Sequence, residues 1–119
     1  MANIDNGVML GALGSIHTDG TGQVRPPLNM VIVAIQFITK NTPTALVAQE
    51  PTRFIGTGST VAHTGVEVDG TDVQTTDVGL GGVSISGCSF PAGMTIYGRW
   101  TAATFSGDTN GGVICYLGY

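Results

Sequence analysis

Between Met94 and Phe105 the sequence alternates with a period of two. Met94, Ile96, Gly98, Trp100 and Ala102 fall on one side, and Thr95, Tyr97, Arg99 and Thr101 on the other. A helix would scatter each set around its circumference, whereas a strand gathers each on one face. The apolar set, with Trp100 among Met94 and Ile96, reads as the face turned to the core. Tyr97 and Arg99 share the opposite face. A Tyr–Arg pair on a sheet surface is the material of protein interfaces, and it equally suits a second buried face. Phe90-Pro91-Ala92-Gly93 supplies the preceding turn, with Pro presetting its backbone. Ser106 to Gly112 forms the following turn, and Val113-Ile114-Cys115-Tyr116-Leu117 is a final apolar strand.

The rest of the chain repeats the theme. Residues 28–39, LNMVIVAIQFIT, are rich in β-branched side chains and follow Pro27, which favours a strand buried on both faces. After a turn at 40–44, residues 45–49 and 52–56 read as short strands split by Pro51. Residues 57–82 are a Gly- and Thr-rich meander. Within it Val66-Glu67-Val68 and a return strand over 71–78 flank the hairpin signal Asp69-Gly70. Residues 79–82 make a loop, and Val83-Ser84-Ile85-Ser86 alternates again. No segment combines caps with a 3.6-residue period. The expected fold is all-β, a small β-sandwich or jelly-roll-like barrel. Residues 1–27 are rich in Gly and end at Pro26-Pro27, so an extended N-terminal arm is expected there, with a single β domain over 28–119.

Composition narrows the function. A chain of 119 residues suits one core. Its basic residues, Arg25, Lys40, Arg53 and Arg99, are scattered, and a nucleic-acid surface needs them clustered. The longest apolar run, Met30 to Ile38, is broken by Gln36 and falls short of the roughly 20 residues of a membrane span. The first residues lack the basic and apolar regions of a secretory signal, so synthesis in a cytoplasm without processing is expected. Charged residues are only 10% of the chain, against about 25% in ordinary domains. Thr, Ser, Gly, Asn and Gln must then supply the polar surface. Such a surface does not repel copies of itself, which favours life in an assembly.

Chemistry is poorly supplied. His17 and His63 stand 46 positions apart with no local signature of a nucleophile and its base. Cys88 and Cys115, 27 apart, do not have zinc spacing, and in a cytosolic protein they read as buried thiols before a disulfide. Glu67, Asp69, Asp72 and Asp77 could offer oxygen to calcium, but they lack the twelve-residue loop pattern. Gly56-Thr57-Gly58-Ser59 lacks the Lys and the helix of a phosphate loop. No catalytic residue, metal site or cofactor is expected, and the chain reads as a non-enzyme.

One resemblance is carried by the C-terminal third. The stretch Phe90-Pro91-Ala92-Gly93-Met94-Thr95-Ile96-Tyr97-Gly98-Arg99-Trp100-Thr101, followed by Gly112-Val113-Ile114-Cys115-Tyr116-Leu117-Gly118, resembles the ending of small tailed-phage virion structural proteins. The first 80 residues carry no such likeness. The resemblance implies a capsid decoration (cement) protein, bound to the major capsid protein on the outer surface of a phage head. It also implies a homo-oligomer, with three copies the expected number. The implied location is the virion, after synthesis in the host cytoplasm. The matched positions are strand and turn chemistry, so no functional residue is carried over, and Tyr97 and Arg99 stand as interface candidates on the strand pattern alone. A rival expectation is a receptor- or glycan-binding module of a phage tail fibre or head fibre, with Tyr97 or Trp100 as a stacking platform.

Overall fold

β-branched and aromatic residues at alternate positions build eight strands among the described residues: β1 Ser15–Thr18, β2 Gly22–Val24, β3 Val31–Phe37, β4 Ala45–Ala48, β5 Val66–Val68, β6 Thr71–Val73, β7 Thr95–Phe105 and β8 Val113–Gly118. The structure is a computed structural model that describes residues 11–50, 53–57, 66–68, 71–73, 84–107 and 110–119. Every pairing is antiparallel. β5 and β6 form a separate hairpin in which Glu67 stands opposite Asp72. The other six strands form one sheet in the order β1-β8-β3-β7-β2, with β4 also on β7.

The length of β7 explains how this sheet curls. Its first half pairs with β3, where Ile96 faces Ile35 and Trp100 faces Ile32. Its second half lies between β2 and β4, so that Ala103 faces both Val24 and Leu46. One strand thus belongs to two parts of the sheet, which becomes a nearly closed, barrel-like wall. Ile32, Ile35, Phe37, Leu46, Trp100, Ala103, Val113 and Cys115 are fully buried and pack into a single core.

Two irregularities keep the apolar side chains on that core. Val47 pairs with Ala102 but Ala48 pairs with Trp100, so Thr101 is an extra residue on β7. A bulge reverses the face of the residues beyond it. Ala103 and Phe105 are therefore buried, and Ala102, expected on the Trp100 face, is not. On β3, Val33 is the extra residue opposite β8, between Ile32↔Leu117 and Ala34↔Tyr116. Ile32, Ile35 and Phe37 consequently join one core although their spacing is uneven.

Trp100 is fully buried, as the alternation expects, and its indole Nε1 donates to the Ile55 carbonyl at 2.8 Å. The ring lies back over Gly98, where a Cβ would come within 2.6 Å of the indole. Gly112 answers a tighter need: a Cβ there would overlap the Thr18 carbonyl oxygen where β1 meets the start of β8. Asn41 is the buried polar residue among the described ones. Its side-chain amide donates to Gly20 at 2.9 Å and accepts from the Ser106 N–H at 3.1 Å. Its backbone exchanges two bonds with Phe90. Asn41 therefore ties the β1–β2 turn, the end of β7 and the 84–94 segment together where the barrel closes.

Several expectations are corrected. An arm over 1–27 outside the β domain does not hold for its described part: β1 and β2 belong to the sheet, and Val24 is core. Residues 1–10 lie outside the described residues. The strand expected from residue 28 begins at Val31, because Pro27 to Met30 form a turn. Asn29 takes φ 68° in it, which a short polar side chain tolerates. Residues 53–57 are a turn beside β4, since Arg53 and Phe54 N–H groups both return to the Glu50 carbonyl. Ser84 and Ile85 are irregular too, with Ile85 donating to Gly56 at 2.9 Å. Met94 is 42% exposed, at the end of the strand beyond the core. The return strand is described only as β6, and residues 74–83 lie outside the described residues.

Candidate interaction surface

The outer face of β7 places Tyr97 and Arg99 two residues apart, as the alternation requires, but their surroundings differ. Tyr97 is 66% exposed. Its cross-strand neighbour is Ala34 on β3, and the same Ala34 faces Tyr116 on β8. Ala34 is fully buried between the two strands. The Tyr116 hydroxyl donates to Gln36 Oε1 at 2.8 Å, which holds that phenol against β3. Tyr97, Ala34 and Tyr116 thus form one row across three strands, with a small residue between two phenols.

Arg99 is tied inside the chain. Its Nε donates to Gln49 Oε1 and its Nη2 to the Tyr119 carbonyl, both at 2.8 Å. Its guanidinium lies 5.9 Å from the Phe54 ring centre, and Arg53 lies at the same distance from that ring. The Arg53–Glu50 ion pair is 3.5 Å long and exposed on both sides, so it adds little. Arg99 fastens the 49–54 turn to β7, and Tyr97 is left as the protruding member of the pair. Sequence reading missed Tyr116 and Gln36. The signal was present, since Ile114 and Tyr116 alternate against Val113, Cys115 and Leu117 and so lie outside.

The other candidates separate in space. Trp100 is enclosed and its N–H is used, so it offers no stacking platform. His17 is exposed and its Nε2 contacts the Gly111 carbonyl. His63, Asp69 and Asp77 lie outside the described residues, and for Glu67 and Asp72 only the backbone is described. No group of three His, Cys, Asp or Glu that could hold a metal occurs among the described residues. Cys88 and Cys115 are both free thiols. Cys88 is exposed, against the expectation that both are buried. Burial pushes the Cys115 thiol from 9.0 up to about 12, which leaves it protonated and inert at neutral pH. In an open groove lined by Lys40, Asn41, Thr42, Ser106 and Gly107, the Nδ2 and Oδ1 atoms of Asn41 each have a partner, and among the described residues no buried side-chain N or O atom lacks one. No described helix is long and apolar enough to cross a membrane.

No family model, no curated protein and no solved structure matches this chain.

Proposed function

We propose that the chain is a non-enzymatic virion structural protein. It binds the outer surface of a phage head through the major capsid protein and stabilises the shell. The observation that carries this reading is the ending PAGMTIYGRWT…GVICYLG. Its residues form the turn before β7, β7 itself and β8, which together with β3 make up the middle of the sheet. The shell would be stabilised by avidity: many copies, each held modestly, lock neighbouring subunits together. A surface poor in charge suits such contacts, since few ions must be desolvated when it meets protein. The resemblance implies three copies per unit. Imaging virions with the protein labelled is the test. Density spread over the head supports the reading, and density confined to the tail overturns it.

A second reading has one observation in its favour. Tyr97 presents an exposed phenol on the outer face of β7, an apolar ring face on which a sugar can stack. On this reading the chain is a receptor- or glycan-binding module of a fibre. Loss of glycan retention in a Tyr97→Ala variant would support it, and a glycan array with no retained sugar would remove it.

A further inference from the structure

Among the described residues, the first half of β7 has a strand neighbour on one side only. The Phe37 N–H reaches the Met94 carbonyl at 2.8 Å, so even-numbered residues in this half aim their backbone groups at β3. The Gln49 N–H reaches the Arg99 carbonyl at 2.8 Å from the opposite side, so odd-numbered residues aim theirs away from β3. β4 covers that side only from Trp100 onward. Among the described residues nothing bonds the outward backbone groups of Thr95 and Tyr97. Proteins guard such edges with Lys, Pro or a bulge. Residues Met94 to Gly98 contain no charge and no Pro, and the register of Thr95–Tyr97 on β3 is regular.

We infer that Thr95–Tyr97 of β7 pairs antiparallel with the same segment of a second copy, about a two-fold axis at Ile96. Thr95 of each copy then stands opposite Tyr97 of the other. In antiparallel pairing such residues exchange both N–H···O bonds. The contact uses the two donors and two acceptors that no described residue of the same copy bonds, and no others. A two-fold contact needs a surface complementary to itself, and this register provides one. Arg99 falls outside the paired segment, so its carbonyl keeps Gln49 and no like charges meet. Each Tyr97 lies across Thr95 of the other copy, which extends the row Tyr116–Ala34–Tyr97 over the seam. This inference stands apart from the capsid reading and gives two copies where the phage resemblance implies three.

The test combines mass with register. Light scattering of the full chain at micromolar concentration is expected to give the mass of two chains. Thr95→Pro removes one outward donor per copy and takes nothing from the β3 ladder, so it is expected to weaken the pair at least tenfold with the melting curve retained. Thr95→Lys provides a second variant with the same expectation. For register, Thr95→Cys and Tyr97→Cys proteins are prepared in a Cys88→Ser background and oxidised. Opposed residues have Cα atoms about 5.5 Å apart, within disulfide reach. Cross-linking is expected when the two proteins are mixed and not with either alone. A single-chain mass, a three-chain mass, a pair indifferent to both Thr95 variants, or no cross-link in the mixture would each overturn the inference.

Discussion

At the scale of single residues, the inward face of β7 turns on Trp100. Its indole is fully enclosed, rests over Gly98 and donates to Ile55. Trp100→Ala would open a large cavity and leave the Ile55 carbonyl without its donor. The expected loss is about 3–5 kcal/mol, a severe one against a total of about 5–15 kcal/mol. Urea denaturation checks it, and an unchanged midpoint would mean that the ring is not in the core. Cys115 gives a pH signature. Its thiol stands at about 12 in the folded chain and near 9.0 when exposed. Below pH 9 both states hold the proton and the thiol contributes its full stability. As pH rises from 9 to 12 the unfolded chain releases that proton and the folded chain retains it. Stability therefore falls, by up to about 1.4 kcal/mol per pH unit from this group. A Cys115→Ala variant is expected to decline less steeply across that window in denaturation at stepped pH. Equal slopes would contradict the assignment. The burial of Trp100 was legible in the sequence because strict alternation runs from Met94 to Trp100. The change of face at Ala102 was not, since a bulge has no residue signature when Thr101 alone supplies it.

At the scale of elements, β3, β7 and β8 were legible because each is long, β-branched and bounded by turn residues. β1 and β2 were not. They are four and three residues long, rich in Gly and polar side chains, and held by neighbours distant in sequence. Pro26-Pro27 has the composition of an arm's end. It instead leads into the tight turn between β2 and β3, two strands that lie along the same edge of β7. The described parts of the other two expected strands, 53–56 and 84–86, show the opposite error: local alternation with no partner strand among the described residues gives a turn and irregular chain. Tyr97 was legible as an outward residue, whereas the anchoring of Arg99 depends on Gln49, Phe54 and Tyr119, which only the fold brings near. The place of β1 and β2 in the sheet makes deletion of residues 1–27 a severe change. It removes both strands and the core residue Val24, and it strips Asn41 of its Gly20 acceptor. The truncated chain is expected to lose its cooperative melting transition in circular dichroism. A truncated chain that melts like the full one would show that the barrel closes without β1 and β2.

At the scale of the whole molecule, a chain with 10% charged residues closes its sheet nearly into a barrel and, among the described residues, leaves one stretch of strand edge unpaired beside an exposed tyrosine. These features suit a protein that works by meeting other protein. The fold class was legible because period-two patterning and the lack of helix caps concern the chain alone. The proposed function is not legible in that way, since a contact surface is defined jointly with its partner. Attachment to the head is measured most directly by adding purified protein to phage heads assembled without it and sedimenting the two together. Binding that saturates at a fixed number of copies per head, and that raises the temperature at which the heads come apart, is the expected result. Protein that stays in the supernatant at every concentration, with heads no more stable than before, would contradict a role on the capsid surface.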